Sequence, residues 1–361
     1  MDTPNIFKYA NSELAQDAFI CWLLDWANPC YKEIDESLNE TAQNFVKSLF
    51  NKHEDAVLPK IESVKVQKQD NGIDVGAIVN DRYYLLIEDK TNTKNHSNQL
   101  WRYYTDVLKR TKSQDSKFKD IKDIIPIYLK TYDQSQFSLE IFKPNHKEIK
   151  YHPPEPNTYK VKIRKEFRSF LRNDFLKVLN GYQGQNEVLL QFRNRFLSIE
   201  KSVNNFSEKQ IKCWKKFEFI GFYQKLQKEL DVGYWKRVNN ENGGFYAYIW
   251  PRKKDRPDRP FYMQFEGNKG QLTLCFKIYE SDKSLQSSVR NERSKQLIKY
   301  LKSSEIPIKI TKPKRFGKGK YMTVGIAHNF PPQNSDGMIE FKKTKDLLLR
   351  LNQTLEKCPL H

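Results

Sequence analysis

The sequence predicts an α/β domain followed by a basic α+β domain. Helix and strand patterns alternate over the first 204 residues, whereas short strands with alternating side chains dominate from residue 231 onward. Positive charge is concentrated in the second part. We therefore expect one domain at 1–204 and a second at 205–361, because 361 residues are enough for two hydrophobic cores.

The two parts differ sharply in charge. From residue 205 onward there are 32 Lys and Arg against 16 Asp and Glu, so +16 of the formal net charge of +19 lies there and +3 in the first 204 residues. Such a surplus favours a polyanionic partner such as nucleic acid. It is equally compatible with an anionic membrane surface or with solubility alone.

Cysteine use and hydropathy argue against several classes of protein. The five cysteines are odd in number and far apart, which favours neither a disulfide framework nor a zinc motif. We find no signal-sequence pattern and no run of 18 apolar residues, so a cytoplasmic location is predicted. The GxxxxGK[ST] motif of ATPases is absent, so any helicase or translocase action would need a separate ATPase subunit.

The first helix is predicted to begin at Glu13, because Ser12 can cap it and Asn28-Pro29 can end it. After it we expect helices at 34–52 and 95–108, strands at 61–69 and 123–131, and an irregular stretch at 133–158. Helices at 161–180, 187–198 and 208–230 are expected to close the first domain or to bridge to the second. In the second part we expect strands at 234–239, 245–250, 261–266, 271–279, 307–310 and 321–327, and helices at 285–301 and 336–355.

A β-hairpin is predicted between these elements, over residues 73–90. Two apolar runs flank Asn80-Asp81, and both residues tolerate the positive φ of a two-residue hairpin turn. Side chains alternate along a strand, so Glu88 and Lys90 share a face while Asp89 points the other way. With the strands in register, Asp74 lies across from the end of the second strand. Two carboxylates and one ammonium are then expected together.

That cluster suits a divalent cation. Mg²⁺ takes one or two protein carboxylates and completes its octahedron with water and substrate phosphate oxygens. An ammonium beside that water can orient it or offset charge on a phosphate. The alternative is a solvated strand end with an incidental Glu–Lys ion pair.

The pattern Ile73-Asp74 followed by Glu88-Asp89-Lys90 resembles the signature of the PD-(D/E)xK nucleases, with Ile73 in place of the usual proline. Two more features resemble the RecB-like branch of that superfamily. Glu13 stands before a helix containing Trp-Leu-Leu, as in the first motif of the branch, with Asp17 as a rival. The third match is a Gln-xxx-Tyr pattern, formed by Gln99 and Tyr103.

The resemblance implies a restriction-endonuclease-like core, in which a central mixed β-sheet is flanked by helices. It also implies metal-dependent hydrolysis of phosphodiester bonds, with Mg²⁺ as cofactor and Mn²⁺ as a substitute. The implied metal ligands are Asp74, Glu88, the backbone carbonyl of Asp89, and Glu13. Lys90 would orient or activate the attacking water, and Gln99 and Tyr103 would position the metal or the substrate.

Several functional readings remain open at this point. The resemblance indicates a DNA endonuclease that cuts double-stranded DNA in bacterial defence, with a homodimer and a separate ATPase or sensor subunit as further expectations. Cleavage of RNA or tRNA would use the same metal chemistry. A catalytically inactive nucleic-acid-binding or scaffold protein is the second alternative, although the sequence retains both carboxylates and the lysine. A third alternative is that the second domain senses a nucleotide or a partner and activates the nuclease.

Two basic loops of the second domain are predicted to bind nucleic acid. Lysines, arginines and nearby glycines allow charge and backbone to approach a phosphate closely. The alternative for each loop is a merely solvated surface. The predicted residues are Arg252, Lys253, Lys254, Arg256, Arg259, Lys312, Lys314, Arg315, Lys318 and Lys320.

Overall fold

The computed structural model shows two compact units, whose main boundary lies between Ser198 and Ile199. It describes residues 4–10, 12–91, 99–112, 117–132, 135, 148–151, 159–162, 166–230, 232–239, 243–250, 260–314 and 319–358. Each unit contains its own β-sheet of five or six strands.

The first unit is built on a five-stranded mixed sheet. The strands of this unit are β1 (Val64–Asp70), β2 (Ile73–Val79), β3 (Tyr83–Lys90), β4 (Asp123–Lys130), β5 (Glu148–Tyr151), β6 (Tyr159–Lys162) and β7 (Arg168–Leu171). The order in the sheet is β1-β2-β3-β4-β7, while β5 and β6 pair separately. β1, β2 and β3 are antiparallel, and β4 and β7 add to β3 in parallel. The predicted α/β core with a central mixed sheet is confirmed.

Helices flank this sheet. They are α1 (Glu13–Trp26), α2 (Glu36–Phe50), α3 (Gln99–Lys112), α4 (Arg172–Leu179) and α5 (Glu187–Asn204). α3 buries Leu100, Tyr104 and Val107 in a cluster with Tyr84 and Leu86 of β3. α1 packs on β1, β2 and β3. β2, β3 and β4 are therefore almost entirely buried, whereas the edge strand β1 is partly exposed.

Gly76 allows the two central strands to carry a large side chain across their surface. A Cβ on Gly76 would lie 2.3 Å from the hydroxyl oxygen of Tyr84, which is closer than any real contact. Without a side chain at this position, Tyr84 packs across β2 and is fully buried. The ring contacts Phe118, with ring centroids 5.4 Å apart, and belongs to the hydrophobic cluster under α3.

The second unit is an α+β module. It contains α6 (Lys216–Leu230), α7 (Gln286–Lys302), α8 (Phe341–Glu356), β8 (Tyr234–Val238), β9 (Phe245–Ile249), β10 (Tyr262–Asn268), β11 (Gln271–Tyr279), β12 (Ile310–Thr311) and β13 (Tyr321–Ala327). Its sheet has the order β12-β13-β11-β10-β9-β8 and is antiparallel throughout.

Two predictions of secondary structure near residues 133–180 are wrong in part. Residues 148–151 form a strand rather than an irregular stretch, and the predicted helix at 161–180 begins only at Arg172. Phe167, Phe170 and Phe175 recur at intervals that mimic helical periodicity. Phe170 instead lies on β7, and the Asp174 carboxylate accepts the Leu171 N–H at 2.9 Å where the helix starts.

The predicted helix at 208–230 is also shorter than expected. Two single-turn 3-10 helices, Phe206–Glu208 and Ile211–Cys213, precede α6, which begins at Lys216. Within the described residues, no helix is both long and apolar enough to cross a membrane.

Candidate metal centre

The hairpin of β2 and β3 brings its charged residues together. Asn80 and Asp81 have the predicted positive φ, at 53° and 51°. The loop contains three residues and not the predicted two, because Val79 pairs with Tyr83 and Arg82 also lies in the loop. From this turn the pairing runs to Val75 opposite Ile87. One step further along the same register, Asp74 faces Glu88 at the open end.

Lys90 is the centre of the cluster. Its Nζ lies 2.8 Å from Glu88 Oε1 and 3.1 Å from Asp74 Oδ2, and 3.9 Å from Glu13 Oε2. It also donates to the backbone carbonyl of Asp89 at 2.9 Å. The structure thus brings the predicted carboxylates and the predicted lysine to one point.

Asp74 and Glu13 are each held by the backbone of the strand end. Asp74 Oδ2 accepts the Asp89 N–H at 3.0 Å, and Glu13 Oε1 accepts the Thr91 N–H at 3.1 Å. Glu13 stands in the first turn of α1, where the helix dipole favours a carboxylate. The end of β3 therefore fixes one carboxylate from β2 and one from α1.

Glu88 is fully buried, and both of its carboxylate oxygens lack a hydrogen-bond partner. The Lys90 ammonium lies 2.8 Å from Oε1 as an ion-pair partner. Burial, followed by the charge of Asp74, raises the pKa of Glu88 to about 8. Burial opposes the charge of Lys90, but Glu88 and Asp74 outweigh it, so the pKa of Lys90 is raised.

The opposite face of the same strand end carries a chain of buried polar groups. Asp89 Oδ1 accepts a hydrogen bond from Gln16 Nε2 at 2.6 Å, and Gln16 Oε1 accepts one from Thr131 Oγ1 at 3.0 Å. Arg172 donates to the Thr131 carbonyl. These contacts tie α1, β3, β4 and α4 together directly behind the cluster.

Asp17 lies on this second face and not in the cluster around Lys90. It is buried, and burial together with the charge of Asp74 raises its pKa to about 6. The pKa of Asp89 is raised as well, by burial and by the charge of Asp17. Of the two acids on α1, Glu13 therefore reaches Lys90, while Asp17 faces Asp89.

Gln99 and Tyr103 are close to each other on α3. Gln99 Nε2 donates to the Tyr103 hydroxyl at 2.9 Å. The Tyr103 ring packs over Gly72, two residues before Asp74, where a Cβ would lie 3.2 Å from its hydroxyl oxygen. Among the contacts of the described residues, this pair bonds to itself and not to the carboxylates around Lys90.

Three of the predicted nucleic-acid-binding residues fall within the described part of the second unit. Lys312, Lys314 and Lys320 are exposed there, and Lys312 donates to the Asn291 side chain at 3.1 Å. The remaining predicted residues lie outside the described residues; they are Arg252, Lys253, Lys254, Arg256, Arg259, Arg315 and Lys318.

The residues present fit a divalent cation. Glu88 is fully buried with Lys90 as its ion-pair partner, neither of its oxygens has a hydrogen bond, and Asp74 stands beside it, so a cation would offset the cost of two neighbouring carboxylates. Within the described ranges, no three His, Cys, Asp or Glu side chains converge as a complete protein cage. A cation here would take Asp74 and Glu88 and fill its other positions with water and substrate oxygens, as Mg²⁺ commonly does.

Sequence reasoning did not identify Gln16, Thr131 or Arg172. Gln16 stands one turn after Glu13, on the face of α1 that is otherwise apolar, and a polar residue there is the one local signal. Thr131 and Arg172 become recognisable only when β4 and α4 are packed together.

Comparison with known proteins agrees with this geometry. A family model described as the PD-(D/E)XK nuclease superfamily matches residues 4–211, which is more than half of the chain. The chain belongs to this superfamily, whose members are in general metal-dependent nucleases. No curated protein and no solved structure matches the chain. The predicted superfamily is thereby confirmed, and the RecB-like branch stays a prediction.

Proposed function

We propose that this protein is a Mg²⁺-dependent nuclease that hydrolyses phosphodiester bonds in double-stranded DNA. The observation that carries the proposal is the position of Lys90 Nζ, 3.1 Å from Asp74 and 2.8 Å from the fully buried Glu88. A protein fold does not keep such a group of ions without a ligand at a low cost, since each buried charge costs several kcal/mol.

Asp74 and Glu88 would hold the metal ion, with the carbonyl of Asp89 and the carboxylate of Glu13 beside them. When bound, the ion would supply Lewis-acid stabilisation of the phosphate and a water of lowered pKa. Mn²⁺ is proposed as a substitute, because the oxygen ligands suit both ions.

Lys90 acts as a charged hydrogen-bond donor in this proposal. Its raised pKa keeps the ammonium protonated at neutral pH, so it is unsuited to remove a proton from water. It instead orients the attacking water or offsets the negative charge that develops on the phosphate. Gln99 and Tyr103 are proposed to position the substrate from α3.

The second domain, at 205–361, is proposed to bind the nucleic acid or to regulate its cleavage. Its +16 charge supports this role, because a polyanion is attracted by such a surplus. The same proposal includes a role in defence against foreign DNA. It also includes a homodimer that cuts both strands and a separate ATPase or sensor subunit.

Incubation of the purified protein with plasmid, single-stranded DNA and total RNA tests the proposal. We expect cleavage of the plasmid with Mg²⁺ or Mn²⁺, and none with EDTA. Asp74→Asn should abolish it, because the amide removes a ligand charge while it keeps the shape. If the protein cuts only RNA, RNA replaces DNA as the proposed substrate. Cleavage in EDTA would refute the metal-dependent mechanism.

Asp81→Asn is a matched control at the other end of the same hairpin. Asp81 is exposed and pairs with Lys65, and Asn tolerates its positive φ. This variant should cut at the wild-type rate. Equal losses in both variants would mean that the hairpin, and not the cluster, was disturbed.

A further inference from the structure

The second unit contains a small basic cleft that the two predicted basic loops do not include. It is formed by the segment that leads into α6, by β8 with the start of β9, and by the turn between β10 and β11. Its volume is about 270 Å³. The charged residues that line it are Lys215, Lys216, Arg237 and Lys269.

Among the described residues that line this cleft, none is acidic. The neighbouring carboxylate of Glu218 is turned away, since it binds the Lys209 ammonium and the Lys215 N–H. Arg237 donates to the backbone carbonyl of Gly243 at 2.8 Å, so its guanidinium is held at the cleft without being neutralised by a carboxylate. Four cationic side chains from three parts of the chain therefore line one concavity: Lys215 and Lys216 at the start of α6, Arg237 on β8, and Lys269 in the turn between β10 and β11.

The floor of the cleft is apolar and tightly packed. Trp214 and Phe219 are each 2 % exposed, and Trp214 Nε1 donates to the Lys209 carbonyl at 3.0 Å. A Cβ on Gly267 would lie 2.5 Å from Phe219, so the strand can approach α6 only because that residue is glycine. An apolar floor lowers the local dielectric and strengthens an ionic contact above it.

The turn between β10 and β11 is locked in the same way. Gly270 has a φ of +71°, and a Cβ on it would lie 2.3 Å from the Lys212 carbonyl oxygen. This contact fixes the turn that carries Lys269, which lines the cleft together with Lys215, and both side chains are exposed. The cationic groups thus project from a preorganised backbone, which reduces the entropy lost on binding a ligand.

We propose that this cleft binds the phosphate of a nucleotide unit, supplied by a nucleic-acid strand or by a free nucleotide. Charge selects an anion, and the size selects a small one. About 270 Å³ lies just below the usual range for sites that enclose a whole small molecule, so the cleft holds one phosphate with its sugar. The choice of a nucleotide phosphate as the ligand rests on the proposed nuclease function.

Binding measured in EDTA separates this site from catalysis. Fluorescence anisotropy with a short labelled single-stranded DNA, and calorimetry with ATP, would compare the full-length wild type with the double variant Lys215→Ala/Lys269→Ala. We expect the variant to bind one of these probes about tenfold more weakly. For the strand, the slope of log K against log salt should fall by about 0.7, because the cleft holds one phosphate and each neutralised phosphate of a single strand contributes about 0.7.

The matched control is Lys295→Ala/Lys299→Ala, which removes the same charge from exposed positions on α7. It should bind both probes as the wild type does. A loss for DNA alone assigns the cleft to a strand, and a loss for ATP alone assigns it to a free nucleotide. Equal losses in both double variants, no loss in the cleft variant, or no binding by the wild type would overturn the proposal.

The same experiments distinguish this inference from the proposed nuclease activity. If the wild type cuts no nucleic acid but the cleft variant still loses binding, the nuclease proposal fails and the cleft assignment stands. If the wild type cuts DNA and the cleft variant binds both probes normally, the cleft assignment fails alone.

Discussion

The two ends of the β2–β3 hairpin satisfy their polar groups very differently. At the turn, the Asn80 side chain accepts from the N–H groups of Glu62 and Ser63 at 2.8 and 3.2 Å and donates to the Lys60 carbonyl at 2.8 Å. At the open end, Glu88 is fully buried and neither of its oxygens has a hydrogen-bond partner. The Asn80 side chain thus has its hydrogen bonds at the turn, whereas the Glu88 carboxylate at the open end has none.

This difference separates stability from function within a single supersecondary element. A buried polar group without a partner costs about 1–3 kcal/mol, and more when it is charged. Natural proteins break the rules of good folding mainly at functional sites, where a ligand completes what the chain leaves open. We therefore expect changes at the open end to affect activity most and changes at the turn to affect stability alone.

The largest effect is predicted for Lys90. Lys90→Ala should reduce cleavage by at least about 10²–10³-fold, which is the usual cost of removing one preorganised charge from a reaction site. Lys90→Arg should be nearly as inactive, because a planar guanidinium cannot place its donors where the compact ammonium stands. Initial rates of plasmid nicking with Mg²⁺ would measure both effects.

Lys65→Ala is the control for Lys90. Lys65 is exposed and pairs with Asp81 near the turn, and such a surface pair contributes little to stability. Its variant should cut normally. If Lys90→Ala is folded by circular dichroism and still cuts at the wild-type rate, the role assigned to Lys90 is wrong.

A smaller effect is predicted for Gln16, behind the cluster. Gln16→Leu leaves Asp89 Oδ1 and Thr131 Oγ1 without their partner and frees the strand end that holds Asp74. Loss of such an outer-shell contact typically reduces metal affinity or activity about 10–100-fold. We expect the Mg²⁺ concentration for half-maximal cleavage to rise, because Gln16 positions the ligands without touching the substrate.

Gln43→Leu provides the comparison for Gln16. Gln43 lies on α2 and makes only long contacts of 3.4 Å, to Ala27 O and Asn39 Oδ1. It should leave the Mg²⁺ dependence unchanged. A Gln16→Leu protein that is less stable but has the wild-type Mg²⁺ dependence would show a purely structural role.

The hairpin was predictable because its signals are local. Asn80-Asp81 between two apolar runs defines the turn, and strand alternation then sets the faces of Glu88 and Lys90. The exact register was not predictable, because a two-residue turn would place Asp74 opposite Ile87, whereas the observed loop includes Arg82 as a third residue and brings Asp74 opposite Glu88. Roles in catalysis are a different matter, and those of Gln99 and Tyr103 stay predictions.

The residues behind the cluster were not predictable, because their contacts are not local in the sequence. Gln16, Thr131 and Arg172 are far apart in the sequence, and they meet only because α1 and α4 pack near the ends of adjacent parallel strands. β7 was hidden as well. Its four residues run straight into α4, so apolar spacing over both elements imitates one helix.

The smallest effect on activity is predicted at Asn80. Asn80→Gly keeps the positive φ but removes three hydrogen bonds, and it should lower the free energy of unfolding by about 1–2 kcal/mol. Asn80→Ala should cost about 1 kcal/mol more, because alanine is strained in the left-handed region. Urea unfolding would measure both values.

Cleavage below the unfolding transition should remain normal in both Asn80 variants, since the carboxylates stand at the other end of the strands. A loss of activity in folded Asn80→Gly would show that strain passes along the hairpin to Asp74 and Glu88. The two ends of the hairpin would then be coupled, and the turn could not be assigned to stability alone. Normal cleavage by a destabilised protein would instead locate the function at the open end, where Asp74, Glu88 and Lys90 meet.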